Sequence, residues 1–155
     1  MSEEHYLKPL FEPESVAVFG ASDKPDSVGQ VLFRNLLQTG FGGRLFPINP
    51  KHEAVQGVPT YKSLHDVPGR VDLAIICTPA MSVPGVIEQC GERGVRFALI
   101  ISSGFAERGH AGAALERKVL EIARSYSVRI LGPNSLGIMR PPSKLNATFT
   151  RERAH

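Results

Sequence analysis

The chain has 155 residues, of which 42% are hydrophobic and 21% charged, so it has the length and composition of one folded globular domain. Its net charge is +3, and its 18 Lys and Arg residues are scattered, which argues against a nucleic-acid-binding surface. The two cysteines are too few for a disulfide framework, no apolar run is long enough to span a bilayer, and residues 1–10 lack the apolar core of a signal peptide. These features predict a cytoplasmic protein that binds neither nucleic acid nor membrane.

Five short apolar segments have the length and composition of buried strands, and helical patterns separate them. The predicted strands cover residues 15–20, 44–48, 71–77, 97–101 and 128–131. Apolar residues recur at helical spacing within residues 28–37, 83–90 and 115–126. Short strands that alternate with helices form a mainly parallel sheet covered on both faces. We therefore predict an α/β fold, a Rossmann-like, doubly wound, five-stranded sheet with helices on both faces.

The chain divides into two predicted parts. Residues 1–139 contain all five strands and form the domain. Residues 140–155 are rich in Pro, Arg and polar residues and show no packing pattern, so we predict that they are a linker to a following domain that this chain lacks.

Four of the predicted strands end in loops of similar chemistry. In open parallel sheets, ligands bind at the carboxyl ends of the strands, near the point where strand order reverses. These ends are Gly20-Ala-Ser-Asp23, Asn49-Pro-Lys51, Thr78-Pro-Ala80 and Ser102-Ser-Gly104. They offer backbone N–H groups, hydroxyls, glycines and one lysine, but no paired acids, and the five histidines have no metal-ligand spacing. We predict a phosphate-binding site without a catalytic residue or a metal ion.

The loop after the first strand, Gly20-Ala-Ser-Asp23, is called the first loop, and it narrows the choice of ligand. An NAD-binding fold would show Gly-x-Gly-x-x-Gly here and an acidic residue about 20 residues further on. This chain has Gly20 and Gly29 with no glycine at the middle position, and its second strand is followed by Lys51. A lysine at that place could pair with a phosphate on the ribose. NAD is disfavoured, and a 3′-phosphorylated adenosine (coenzyme A) or a 2′-phosphorylated one (NADP) remains.

Five segments of the sequence together carry a resemblance to a known family. The segments are Ser15-Val-Ala-Val-Phe-Gly-Ala-Ser22, Ile48-Asn-Pro-Lys51, Cys77-Thr-Pro-Ala80, Ile101-Ser-Ser-Gly-Phe105 and Leu131-Gly-Pro-Asn-Ser-Leu-Gly137. They resemble the CoA-binding domain of NDP-forming acyl-CoA synthetases, which is similar to the amino-terminal domain of the succinyl-CoA synthetase alpha subunit. The resemblance runs from about Leu7 to Thr150, and protein lysine acetyltransferases that carry this module show it as well.

The resemblance implies coenzyme A, or acyl-CoA, as the cofactor. The residues that it implies for binding are Gly20, Ala21, Ser22, Lys51, Ser102, Ser103 and Gly104, with Thr78 and Pro79 lining the site. The phosphorylated histidine of the family lies in the following domain. The chain alone is therefore expected to bind CoA without turnover, as part of an acid–CoA ligase (ADP-forming) or a protein lysine acetyltransferase.

Structural alternatives exist for several of these residues. Gly20 and Gly29 could serve only the strand-to-helix turn, and Lys51 could be a solvated surface charge. For Asp23 we favour an Asx turn within its own loop, and Glu107 is equally suited to the first turn of a helix. At the level of function, the alternatives are an NADP-binding oxidoreductase domain and a stand-alone CoA or nucleotide sensor.

Overall fold

A computed structural model describes residues 5–149 of the chain. Four α-helices are described in this range, namely α1 (Lys8–Phe11), α2 (Val28–Gln38), α3 (Val83–Glu92) and α4 (His110–Ser125). The strands are β1 (Ser15–Phe19), β2 (Arg44–Ile48), β3 (Ala54–Val55), β4 (Val58–Pro59), β5 (Leu73–Ile76), β6 (Phe97–Ile100), β7 (Arg129–Leu131), β8 (Gly137–Arg140) and β9 (Leu145–Thr148). Within residues 5–149, no helix is both long and apolar enough to cross a membrane.

Five of these strands form one parallel sheet in the order β2-β1-β5-β6-β7. Every residue of β1, β5 and β6 is buried, which explains why these strands are continuous apolar runs without alternation. The chain proceeds from β1 to β2 on one side and then crosses to β5 on the other side of β1. The strand order therefore reverses between β1 and β5. This sheet confirms the predicted α/β, doubly wound fold.

Different elements cover the two faces of the sheet. On one face α3 and α4 bury an apolar stripe that includes Ile87, Cys90 and Val119. On the other face α2 buries Leu32 and Leu36 beside residues of β9. The helix α2 begins at Ser27, whose hydroxyl accepts the N–H of Gln30 at 3.2 Å.

The last described strands differ from the linker that was predicted for residues 140–155. The strands β8 and β9 pair in an antiparallel hairpin, and Leu145 and Ala147 are buried against the sheet. The side-chain amide of Asn35 on α2 donates to the carbonyl oxygen of Thr148 at 2.8 Å. The hairpin is thus part of the folded domain as far as residue 149, and residues 150–155 of the predicted linker lie outside the described residues.

The β8–β9 hairpin also contacts the first helix. Arg140 forms an ion pair with Glu12 at 2.8 Å, and the hydroxyl of Ser143 donates to the carbonyl oxygen of Phe11 at 2.9 Å. These contacts join the two ends of the described chain on one side of the sheet.

Candidate functional site

The parallel sheet brings all the predicted site residues to one edge. Strands β2, β1, β5 and β6 are consecutive neighbours, and the carboxyl ends of parallel strands lie at the same edge of a sheet. The residues that follow these four ends are Gly20, Ala21, Ser22, Lys51, Thr78, Pro79, Ser102, Ser103 and Gly104. The edge includes the point between β1 and β5 where strand order reverses, which is where ligands bind in this architecture.

Gly20 lies where the first loop passes over the end of β5. Its φ of +84° is in the region that favours glycine, and a Cβ atom there would lie 3.0 Å from the carbonyl carbon of Cys77. Gly29 in the first turn of α2 is equally constrained, because its Cβ atom would lie 1.9 Å from the carbonyl oxygen of Gly20. Both glycines therefore serve the turn, and they also allow the loop to lie close to β5.

Asn49 joins the first loop to the loop that carries Lys51. Its side-chain amide donates to the carbonyl oxygen of Ala21 at 3.1 Å, and its side-chain oxygen accepts the N–H groups of Lys51 at 2.8 Å and His52 at 3.2 Å. The backbone of Lys51 is thus fixed relative to the first loop, although its side chain is exposed. No local pattern in the sequence marks Asn49 as a tether.

Gln56, in the turn between β3 and β4, also holds the first loop. Its side-chain amide donates to the carbonyl oxygens of Ser22 at 3.2 Å and Gln30 at 3.0 Å. Its backbone N–H donates to Oδ1 of Asp23 at 2.8 Å. Asp23 therefore accepts from the β3–β4 turn, and the Asx turn favoured for it within its own loop is wrong.

The tethers leave donors free in the first loop. Asn49 and Gln56 occupy the carbonyl oxygens of Ala21 and Ser22. The N–H groups of Ala21, Ser22 and Asp23 find no hydrogen-bond acceptor anywhere in residues 5–149. Successive N–H groups without partners, close to the beginning of a helix, suit an anionic group.

The loops after β5 and β6 are joined to each other. The hydroxyl of Ser102 donates to the carbonyl oxygen of Thr78 at 2.5 Å. Gly104, with a φ of +104°, is close to Ala80, since a Cβ atom at Gly104 would lie 3.1 Å from the Cβ atom of Ala80. In the described part of the chain, the hydroxyl of Thr78 is buried and without a partner. A buried hydroxyl without a partner is energetically unfavourable, so a ligand atom that hydrogen-bonds to it would stabilise the complex.

Glu107 occupies two N–H groups of the loop after β6. It lies in a short 3₁₀ turn, Ala106–Arg108, before α4, rather than in the first turn of that helix. Its carboxylate accepts the N–H of Gly104 and that of Phe105, the latter at 3.1 Å. These bonds, the one from Gly104 first, hold the pKa of Glu107 below its ordinary value of 4.5. The N–H of Gly104 is therefore already bonded within the protein.

Cys77 lies at the same edge but is not ionised at neutral pH. Burial raises the pKa of its thiol to about 12. A neutral thiol is a weak nucleophile, so the chemical character of the edge comes from N–H groups, hydroxyls and the ammonium of Lys51.

The fold and this edge define a doubly wound α/β domain whose strand-order reversal carries groups suited to a phosphorylated ligand. Residues 14–141 match the family described as CoA binding domain. The chain belongs to that family, and membership implies that its cofactor is coenzyme A. The free N–H groups of the first loop, Lys51 and the hydroxyl of Thr78 fit a ligand with several phosphates and polar amide groups.

Curated relatives include subunits and single chains of acid–CoA ligases. The alpha subunit of the ADP-forming acetate–CoA ligase I of Pyrococcus furiosus is 46% identical over 147 residues, which are 92% of this chain and 32% of that subunit. The ADP-forming 4-hydroxybutyrate–CoA ligase of Nitrosopumilus maritimus is 41% identical over 145 residues, which are 92% of this chain and 21% of that ligase. The chain thus spans about a third or less of the length of these relatives.

Solved structures agree with this assignment. The acetyl-coenzyme A synthetase 1 of Ca. Korarchaeum cryptofilum, described as dinucleotide forming and solved with phosphate and ADP, superposes with a TM-score of 0.88 at 45% identity. The match covers 92% of this chain and 30% of that one. The chain is therefore a CoA-binding domain homologous to the amino-terminal domain of the alpha subunit of ADP-forming acyl-CoA synthetases.

Proposed function

We propose that this chain is the coenzyme A-binding module of an ADP-forming acid–CoA ligase, and that other domains activate the acid. The alpha subunit of one acid–CoA ligase and a second acid–CoA ligase contain a homologous segment that is about a third or less of their length. This supports the ligase over the protein lysine acetyltransferase as the parent protein. The cytoplasm is its proposed location, in keeping with two cysteines that are free thiols.

The free N–H groups of the first loop are the observation that carries the proposed binding mode. We assign the diphosphate of coenzyme A to the loop formed by Gly20, Ala21 and Ser22, where the N–H groups of Ala21 and Ser22 lack acceptors in the described chain. The ammonium of Lys51, whose backbone Asn49 ties to that loop, pairs with the 3′-phosphate.

The loops after β5 and β6 take the remainder of the ligand in this proposal. Thr78 offers its unpartnered hydroxyl, and Pro79 lines the site beside it. Ser102 holds this loop through its bond to Thr78, while Ser103 is exposed at the same edge. Gly104 acts through its lack of a side chain, which permits the close approach to Ala80.

The module is proposed to bind coenzyme A without completing the ligase reaction. Formation of an acyl-CoA with ATP needs a phosphoryl carrier and metal-binding carboxylates in a nucleotide site. Among residues 5–149, no group of three or more His, Cys, Asp or Glu side chains is arranged to hold a metal ion. Following domains of the same parent protein are the partners that would supply these groups.

Calorimetric titration of the chain with CoA, NADP, NAD and ADP under identical conditions tests the ligand assignment. CoA is expected to bind most tightly, since only CoA combines the adenosine 3′-phosphate with a diphosphate and an amide-containing arm. Tighter binding of NADP than of CoA would overturn the assignment. Incubation with ATP, CoA and acetate, followed by mass spectrometry, is expected to show no thioester.

A further inference from the structure

The turn between β3 and β4 contacts the first loop but has no role in the binding mode described above. Gln56 and Gly57 form this turn, with φ values of +49° and +78°. A glutamine in the left-handed region carries a backbone penalty that glycine at the same position would avoid. The contacts of the Gln56 side chain must therefore offset this penalty.

The hydrogen bonds of Gln56 fix the direction of one peptide group in the first loop. Its side-chain amide holds the carbonyl oxygen of Ser22 at 3.2 Å and is itself anchored on the carbonyl oxygen of Gln30 in α2. The peptide between Ser22 and Asp23 is planar and trans, so its N–H points opposite to its carbonyl group. Gln56 thereby directs the free N–H of Asp23 away from the β3–β4 turn.

We propose that Gln56 is a positioning residue for coenzyme A, and that the β3–β4 turn holds the first loop in the conformation that receives the diphosphate. This inference rests on the proposed role of the first loop. Gln56 contacts the first loop from the β3–β4 turn and acts through Ser22 and Asp23. The backbone N–H of Gln56 also donates to Oδ1 of Asp23, which adds a second bond between the turn and the first loop.

The variant Gln56→Gly separates positioning from stability. Glycine accepts a φ of +49° without strain and keeps the backbone N–H that bonds to Asp23, while the two bonds from the side-chain amide are lost. We expect a thermal unfolding midpoint close to that of the wild type, faster amide exchange in residues 21–24 and a Kd for CoA raised about tenfold. Gln56→Asn, whose amide is one methylene shorter, is expected to behave in the same way and replaces Gln56→Gly if that variant fails to fold.

A comparison of CoA with dephospho-CoA identifies which part of the ligand Gln56→Gly affects. Because CoA and dephospho-CoA share the diphosphate, Gln56→Gly should weaken both by the same factor, in contrast to a change at Lys51. The matched control is Ser127→Gly, which relieves a left-handed residue with a φ of +59° just before β7. This control should leave the Kd for CoA unchanged.

The outcomes separate this inference from the proposed function. If the wild type binds CoA and Gln56→Gly binds it with the same Kd, the positioning role is wrong, whether or not amide exchange rises. A loss confined to CoA and absent for dephospho-CoA would also contradict it. Failure of the wild type to prefer CoA over NADP would instead overturn the proposed function itself.

Discussion

Two loops at the carboxyl edge of the sheet are both held by side chains, but those side chains are of opposite character. Neutral amides of Asn49 and Gln56 hold the first loop through its carbonyl oxygens. The carboxylate of Glu107 holds the loop after β6 through the N–H groups of Gly104 and Phe105. The first arrangement leaves the N–H groups of Ala21, Ser22 and Asp23 free, whereas the second occupies those of Gly104 and Phe105.

This difference assigns different tasks to loops that look alike in the sequence. Both are rich in serine and glycine and both follow a buried strand. The first, however, presents three successive free N–H groups to an anion, and a carboxylate beside the second would repel one. We therefore expect charge recognition at β1 and β2, and contacts with the uncharged arm of the ligand at β5 and β6.

The largest expected effect is on the first loop. In Gly20→Val, a side chain at a φ of +84° would collide with the backbone of Cys77, so CoA binding should be abolished in calorimetry. Gly94→Val is the matched control, because Gly94 has a φ of +70° with open space around its Cβ position at the opposite edge of the sheet. Both variants should lose roughly 1–3 kcal/mol of unfolding free energy from the positive φ, Gly20→Val more because of the collision, and only Gly20→Val should lose binding. Normal binding by Gly20→Val would show that the first loop is not the phosphate site.

Lys51→Ala tests charge recognition beside the first loop. Loss of a charge-assisted hydrogen bond should weaken CoA binding by roughly 1.5–3 kcal/mol, with far less change for dephospho-CoA. Lys118→Ala removes an equivalent exposed charge from α4 and should alter neither Kd. Equal losses for both ligands in Lys51→Ala would mean that the lysine acts through the general field of the domain.

Glu107→Gln tests the loop after β6. The expected effect on CoA binding is smaller here, and the expected effect on stability depends on pH. The pKa of Glu107 is lower in the folded protein than its ordinary value of 4.5. Its stabilising contribution is therefore complete above about pH 4.5 and is lost as the pH falls through the folded-state pKa. Thermal unfolding of the wild type and Glu107→Gln should differ at pH 7 and converge as the pH falls below the folded-state pKa of Glu107. CoA affinity at pH 7 should fall only a few-fold, and a loss as large as that of Lys51→Ala would contradict the assignment.

The smallest effect on binding is expected from Asn35→Ala, away from both loops. The variant removes the bond to the carbonyl oxygen of Thr148 and should reduce the free energy of unfolding by about 1–2 kcal/mol. Denaturant titration measures this loss, and CoA titration should give a wild-type Kd. A weakened Kd would show that the β8–β9 hairpin influences the site.

The sheet was predictable because its central strands are short apolar runs bounded by glycine, proline and polar residues. The β3–β4 and β8–β9 hairpins were not predictable from the sequence. The strand Ala54–Val55 has only two residues, too few to form a pattern, and β9 buries two polar residues, Asn146 and Thr148, that make the segment look exposed. Thr148 bonds to Asn146 at 2.6 Å, which compensates for their burial.

The gathering of the four strand-end loops at one edge was predictable, but the way these loops are held was not. Parallel topology alone brings the strand ends together, so residues such as Ser22 and Thr78 could be chosen from their place after a strand. The tether from Asn49 to Ala21 joins residues 28 apart in the sequence, and no local pattern marks such a bond. Glu107 is only three residues from Gly104, so a carboxylate soon after a glycine turn was a usable signal.

The contacts between the β8–β9 hairpin and α1 have a consequence for the order of folding. The bond from Ser143 to Phe11 joins residues 132 apart, and closing so long a loop is unfavourable until the intervening chain is compact. The parallel sheet should therefore form first and the hairpin dock afterwards. Weakening the hairpin should then speed unfolding more than it slows refolding, since its contacts form after the folding transition state.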